Sequence, residues 1–242
     1  MTATAAAARP TVVLTDIEGT TSAISFVKDT LFPFARAALE DFLRRRGGEP
    51  AVAEQLAEVR RLQPGREVAE VLRGWMDEDA KVTPLKALQG MIWQEGYAAG
   101  RLQAHFYPDV VPALRSWSRS GVELCVYSSG SVEAQRLLFG HSEAGDLTPL
   151  FHGFFDTRVG AKRESESYRR IAAGLHRPAG EILFLSDVAE ELDAAREAGM
   201  QCCQLVRAED GTRPSGRHAE ASSFPEVAAR FGLPGAEMRN LT

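Results

Sequence analysis

Cysteine and histidine are scarce in this chain of 242 residues, and their spacing excludes two common kinds of site. The three cysteines are Cys125, Cys202 and Cys203, an odd number with two members adjacent. They suit neither a disulfide framework nor a C-x-x-C motif, so we expect reduced thiols in the core. The five histidines never stand three or four residues apart in the sequence, which argues against zinc chemistry.

A long apolar run and an excess of basic charge are also missing. Apolar runs such as 182–185 are far shorter than the roughly 20 residues that span a bilayer. The formal net charge is −5 and the basic residues are scattered, so we expect no nucleic-acid partner. The alanine-rich start, residues 3–8, has no basic residue before it and no bulky apolar centre. We therefore expect a frayed tail there, not a signal peptide, and a cytoplasmic protein without membrane contact.

What is present, after residue 107, is an alternation of strand and helix patterns. The length permits one full α/β domain with a small satellite. Strands are predicted at 11–16, 122–127, 154–155, 182–185 and 201–206, and helices at 132–139, 164–175, 188–198 and 224–231. Because helical patterns separate the strands, we expect crossover connections and a parallel sheet.

The segment from about residue 23 to residue 103 has helical periodicity and no convincing strand. A first apolar stripe runs from about Asp29 to Leu43, and further helices are predicted at 51–62, 67–76 and 84–99. Thr83 and Pro84 suit the N-cap and the first position of the last of these helices. We expect a helical domain, residues 23–103, inserted into a core of residues 1–22 and 104–242.

Polar side chains follow several of the predicted strands. Asp16 and Glu18 come after the first strand, Ser128 and Ser129 after the second, and Asp187 after the fourth. The carboxyl ends of parallel strands share one edge of the sheet, where ligands bind. Lys162, on the loop before another helix, is expected at the same edge.

These residue types suit a metal and a phosphate. Neighbouring carboxylates such as Asp16 and Asp187 repel each other unless a cation lies between them, and Mg²⁺ is held by one or two carboxylates plus substrate phosphate. Ser128 and Ser129 offer donors before a helix, and Lys162 offers a point charge for a phosphate oxygen. The alternatives are that the acids cap helices, that Ser131 is an ordinary N-cap and that Lys162 is solvated.

Taken together, the set is what phosphoryl transfer requires. Asp16 is ionised at neutral pH and is a candidate nucleophile through an aspartyl-phosphate. Glu18, two residues later, is a candidate acid and base that protonates the leaving oxygen and then activates water.

The ordered segments that carry these residues resemble the four motifs of the haloacid dehalogenase-like superfamily, and more closely those of the acireductone synthase (enolase-phosphatase) family of methionine salvage. The similarity runs from about Thr11 to Val206 and rests on the segments Asp16–Thr21, Tyr127–Gln135, Lys162 and Leu185–Val188, with further likeness at 140–142 and 164–168. The resemblance implies a three-layer Rossmann-like parallel sheet and an inserted helical cap that closes over substrate.

The resemblance also implies a reaction and its residues. The substrate would be 2,3-diketo-5-methylthiopentyl 1-phosphate, which is enolised and then dephosphorylated to 1,2-dihydroxy-3-keto-5-methylthiopentene. Asp16 would be nucleophile and metal ligand, Glu18 the acid and base at the metal site, and Asp187 a further ligand of Mg²⁺. Ser128, Ser129 and Lys162 would contact substrate and phosphate.

Two positions qualify this assignment. Glu18 stands where most of the superfamily carries Asp, and its extra methylene moves the carboxyl outward by about 1.5 Å, which suits a base that must also reach a substrate carbon. Whether Glu18 binds Mg²⁺ through its side chain stays open. Glu191 stands where many relatives carry an Asp that tethers a metal-bound water.

Two other functions stay open at this point, and we expect a monomer in each case. One is a plain Mg²⁺-dependent phosphatase on another small phosphoester, which would release phosphate without a transient enol. The other is a non-catalytic binding protein that keeps the scaffold. The retained nucleophile, acid and metal carboxylates speak against that second function.

Overall fold

The computed structural model describes residues 8–235, so most of the alanine-rich start lies outside the described range. The chain divides into two compact units. One is the helical segment Ser25–Ala104, and the other combines the chain through Ile24 with the chain from His105 onward. Within residues 8–235, no helix combines the length and apolar character that crossing a membrane requires.

A parallel sheet of six strands forms the centre of the second unit, in the order β3-β2-β1-β4-β5-β6. The strands are β1 (Val12–Thr15), β2 (Glu123–Tyr127), β3 (Phe151–Phe155), β4 (Ile182–Ser186), β5 (Gln201–Leu205) and β6 (Ala219–Ala221). The predicted α/β class with a parallel sheet is confirmed. Strand β6 was not predicted, because three residues with two alanines carry almost no strand signal.

The helices follow in chain order: α1 (Ile24–Phe26), α2 (Phe32–Arg46), α3 (Pro50–Leu62), α4 (Val68–Asp77), α5 (Thr83–Ala98), α6 (Val110–Arg119), α7 (Val132–Gly140), α8 (Ser165–Gly174), α9 (Ala189–Glu197) and α10 (Phe224–Phe231). A π-helical turn, Val27–Leu31, precedes α2, so that helix begins later than the apolar stripe predicts. Thr83 is the first residue of α5 and the N-cap is Val82, contrary to the predicted role of Thr83 as N-cap. Helix α6 was not predicted.

Helices cover both faces of the sheet. Val12 and Leu14 of β1 belong to a core with Tyr168 of α8 and Leu192 of α9. On the other face α6 packs on β2, and its Trp117 stacks on Phe224 of α10, with ring centroids 5.2 Å apart. Successive side chains of a strand point to opposite faces of the sheet. Because helices cover both faces, β1 is buried along its whole length, and the helices and the sheet form three layers.

The helical unit has its own apolar core. The buried residues come from α2, α3, α4 and α5 and include Leu39, Phe42, Val52, Leu72 and Leu88. Burial of such side chains stabilises by about 1.5–3 kcal/mol each. This unit therefore has the packing of a domain.

Candidate active site

The candidate site lies where the order of the strands reverses. From β1 the chain continues to β2 and β3 on one side of the sheet, then to β4, β5 and β6 on the other. Thr15 and Leu185 are partners in the β1–β4 register, and the amide of Asp16 donates to the carbonyl of Leu185 at 2.8 Å. Asp16 therefore lies beside Ser186 at the reversal point, where ligands bind in open α/β sheets.

Asp16 belongs to a buried cluster of three charged side chains. Lys162 Nζ lies 2.8 Å from Asp16 Oδ2 and 2.7 Å from Glu191 Oε2. These side chains are only 10%, 7% and 11% exposed for Lys162, Asp16 and Glu191, respectively. Ser186 Oγ donates to Glu191 at 3.1 Å and lies 3.4 Å from Asp16 Oδ2, and the amide of Ile17 donates to Asp16 Oδ1 at 2.7 Å. The nucleophile candidate is thus held at both carboxylate oxygens.

One ammonium faces two carboxyl groups in this cluster, so the cluster has one net negative charge when both carboxyls are ionised. Burial opposes the charged form of Lys162, but the charges and hydrogen bonds of Asp16 and Glu191 raise its pKa above the ordinary value. Burial, followed by the charge of Asp16, raises the pKa of Glu191 to about 7. Lys162 is therefore a fixed cation and not the solvated lysine of the alternative interpretation.

The loop that carries Lys162 is fastened from three sides. Tyr127 Oη donates to the carbonyl of Gly160 at 2.9 Å, Ser167 Oγ to that of Ala161 at 2.8 Å, and Tyr168 Oη to that of Lys162 at 2.7 Å. Gly160 has a φ of +144°, a conformation that side-chain-bearing residues rarely adopt. The backbone of this loop is therefore fixed before any substrate binds.

Asp187 lies next to the loop that follows β1. At Gly19, which has a φ of +67°, a Cβ atom would be 2.5 Å from Asp187 Oδ2, so only glycine allows this approach. Burial and then the charge of Asp16 raise the pKa of Asp187 to about 7, and the charge of Glu18 adds to the effect. The carboxyls of Asp16, Glu18 and Asp187 are therefore close enough to influence one another.

Asp187 does not cap the helix that follows it, contrary to the alternative interpretation. The N-cap of α9 is Val188, whose amide donates to Ser186 Oγ at 3.1 Å. Glu18 is partly buried in the loop after β1, where the amides of Thr20, Thr21 and Ser22 converge on the carbonyl of Ile17. This turn directs the acid candidates to the edge of the sheet.

The Ser128–Ser131 segment follows β2 at the same edge. Ser128 is buried, Ser129 is exposed, and Ser131 caps α7 by accepting from the amide of Ala134, as the alternative interpretation proposed for Ser131. Two residues that the sequence interpretation missed fix this segment: Gln135 Nε2 donates to the carbonyls of Gly130 and Phe155, both at 2.8 Å, and Asp156 accepts from the amide of Val132 at 3.2 Å. Asp156 follows β3, so the strand-end rule could have found it, whereas Gln135 carries no such signal.

The donors at this edge fit a hard divalent cation. Asp16 and Asp187 offer only oxygen donors, and burial and then the charge of Asp16 raise the pKa of Asp187, so a cation between the two carboxyls would be favourable. Across residues 8–235, however, no three acidic, histidine or cysteine side chains gather into a metal cluster. A cation here would therefore complete its shell with backbone, water or phosphate oxygen, which is the usual habit of Mg²⁺.

Comparison with known proteins gives consistent results. A family model for haloacid dehalogenase-like hydrolases matches residues 10–199. The chain is 57% identical to the Enolase-phosphatase E1 of Granulibacter bethesdensis over 93% of this chain and 98% of that protein. It is also 57% identical to the Enolase-phosphatase E1 of Pseudomonas aeruginosa, over 89% and 96% of the two chains.

Solved structures share the fold. The UTR4 protein of Saccharomyces cerevisiae has a TM-score of 0.76 at 31% identity and covers 88% of this chain and 98% of its own. CbbY of Rhodobacter sphaeroides, solved in complex with phosphate, has a TM-score of 0.61 at 19% identity, covering 93% and 100% of the two chains.

Proposed function

This chain belongs to the haloacid dehalogenase-like hydrolases and, within them, to the enolase-phosphatase E1 family, and we propose that it acts in methionine salvage on 2,3-diketo-5-methylthiopentyl 1-phosphate. It is therefore a phosphatase enzyme. The products would be 1,2-dihydroxy-3-keto-5-methylthiopentene and phosphate. The observation that carries the proposal is the buried Asp16 carboxylate at the strand reversal, held 2.8 Å from Lys162.

In the phosphatase half-reaction, Asp16 Oδ attacks phosphorus and the bond from phosphorus to the substrate oxygen breaks. Glu18 donates the proton that the leaving oxygen needs. Glu18, now a carboxylate, then takes a proton from water, the water oxygen attacks phosphorus, and the bond to Asp16 breaks to release phosphate. Lys162, Ser128 and Ser129 contact the phosphate and offset its charge.

In the enolase half-reaction, a proton leaves the carbon that bears the phosphate ester and the neighbouring carbonyl oxygen gains one. The longer side chain of Glu18 makes it our candidate for the base. Lys162 would stabilise the enolate oxygen as negative charge develops there, because its ammonium is buried and fixed.

Mg²⁺ is the proposed cofactor, with Asp16, Glu18 and Asp187 as the residues that hold it. When bound, it supplies positive charge against the transferred phosphoryl group. We further propose that the enzyme is a cytoplasmic monomer without nucleic-acid or membrane partners, and that helical residues 23–103 act as the cap.

The decisive experiment follows ultraviolet absorbance and phosphate release together on the diketo phosphate. With Mg²⁺ we expect a transient enol absorbance followed by phosphate, and neither product accumulates with chelator. Asp16→Asn should release no phosphate, whereas the control Asp77→Asn, at an exposed carboxylate of α4, should match the wild type. Phosphate without a transient would identify a plain phosphatase. No phosphate release from the Mg²⁺-loaded wild type would refute the proposal.

A further inference from the structure

A buried arginine lies behind the loop that carries Asp16 and Glu18. Arg207 follows β5, and its side chain is 4% exposed. Its Nε and Nη2 donate to the carbonyl of Thr20 at 3.3 and 3.0 Å. Thr20 belongs to the turn that begins at Ile17. The guanidinium therefore binds the backbone of the loop that carries Asp16 and Glu18, and not the carboxyl of either acid.

All five N–H groups of Arg207 have acceptors. Besides the two on Thr20, Nη1 donates to Asp109 Oδ1 and to the carbonyl of Ser222, both at 3.0 Å, and Nη2 donates to Asp109 Oδ2 at 3.1 Å. The guanidinium also lies 4.1 Å from the centroid of the Tyr107 ring. A planar fork with every donor used has a single orientation, which a lysine ammonium cannot reproduce.

The anchor of this arginine is itself fixed. Asp109 precedes α6, and its Oδ2 also accepts from the amide of Phe224 at the start of α10, at 2.7 Å. The turn is tied a second time, since the amide of Tyr107 donates to the carbonyl of Thr21 at 3.1 Å. These hydrogen bonds thus fix the position of the loop relative to β5, α6 and α10.

We infer that Arg207 is a positioning residue for the reaction: through the Thr20 carbonyl it sets where the loop presents Asp16 and Glu18. The loss of hydration on burial offsets the attraction in an ion pair of this kind, so the pair contributes little net stability. Its contribution here is a fixed geometry for the loop. The inference rests on the proposed phosphatase function. Neither Arg207 nor Asp109 belongs to the motifs that the sequence reveals.

The test compares Arg207→Lys with two matched controls. Arg217→Lys makes the same change at an exposed arginine that also pairs with carboxylates, Asp193 and Glu190. Ile182→Ala removes buried apolar volume at the start of β4, the end of that strand away from Ser186, and so lowers Tm without changing the contacts of Arg207. Kinetics are measured on p-nitrophenyl phosphate, so a failure of the diketo substrate would refute the proposed function and leave this test intact.

For Arg207→Lys we expect kcat to fall about 10- to 100-fold, the scale for a misplaced reacting group. KM should stay within about twofold, because Ser128, Ser129 and Lys162 still receive the phosphate. Both controls should keep kcat. A kcat within twofold of wild type in folded Arg207→Lys, or an equal fall in Ile182→Ala, would overturn the inference.

If Arg207→Lys does not fold, Asp109→Asn carries the test. It keeps an acceptor for one N–H of Arg207 but removes the charge that orients the fork. We expect a smaller fall in kcat, about three- to tenfold, again with KM preserved. An unchanged kcat in this variant would equally overturn the inference.

Discussion

Replacing Lys162 by Met removes the cation of the buried cluster and leaves Asp16 and Glu191 facing each other. Both carboxylates lie within 3 Å of Nζ, at 2.8 and 2.7 Å. Both are about nine-tenths buried, so little water reaches them to screen their repulsion. Well above pH 7, where Glu191 is ionised in the wild type, the variant therefore has two carboxyl groups with no cation between them, whereas the wild-type cluster has a net charge of −1.

The expected loss of stability can be worked from these distances. At an effective dielectric constant of about 20, each contact is worth about 6 kcal/mol of attraction. Desolvation of the buried ions cancels much of that gain, and removal of one partner of a buried pair typically costs about 3–5 kcal/mol. We expect Lys162→Met to lose about 3–5 kcal/mol of unfolding free energy at pH 9, where Glu191 is ionised in the wild type.

The assay is urea unfolding of metal-free protein at pH 9, with phosphate release measured on the same variants. Lys81→Met is the matched control, because Lys81 pairs with Asp79 at the same 2.7 Å but on the surface, where such pairs contribute at most about 1 kcal/mol. In the double variant with Glu191→Gln the net charge returns to −1. That variant should recover about 1–3 kcal/mol of stability but no activity.

A loss below about 1 kcal/mol in Lys162→Met would refute the reasoning. So would a double variant that is no more stable than the single one. Either result would mean that the cluster is solvated well enough for its charges to act independently.

Three further predictions concern the other acids and their loop. Glu18→Gln should lower kcat for phosphate release about 10²- to 10⁴-fold, because the leaving oxygen then receives no proton and water is no longer activated; fast turnover would exclude Glu18 as the acid and base. Gly19→Ala should cost about 1–3 kcal/mol in urea unfolding, because φ is +67° and the new Cβ would meet Asp187, whereas Gly48→Ala, with open space at its Cβ, should cost less. In metal-free protein the stability due to Asp187 should be present below pH about 4 and lost as pH rises to about 7, because its pKa is raised to about 7. Stabilisation by Mg²⁺ should therefore grow from pH 5 to pH 8, and Asp187→Asn should abolish that growth; equal stabilisation at both pH values would contradict it.

Most of the fold could be predicted because its signals are local. Residues 12–14 and 182–185 are apolar runs followed by Thr-Asp and Ser-Asp, which is typical of buried parallel strands and their exposed ends. Strand β6 and helix α6 were not predicted, for different reasons. The first is too short to carry a pattern, and the second begins beside Pro108 with a proline, Pro112, within its first turn.

The candidate site was only partly predictable. The strand-end rule identified Asp16, Ser128 and Asp187, since their positions follow from where each strand stops. Glu191 is different: the sequence suggested a residue behind the metal, and the structure places it against Lys162. Its contact depends on how α9 packs against the loop at Lys162, which no local pattern encodes.

The sequence by itself determined the class of the sheet, the order of the acidic, hydroxyl and amine groups along the chain, and the family. These depend on residue type and spacing, which chain order preserves. Only the tertiary structure decided which groups meet. Asp16 and Lys162 are 146 residues apart in sequence, and Thr20 and Arg207 are 187 apart. Contacts over such separations follow from strand register and helix packing, whose energies are summed over the whole core.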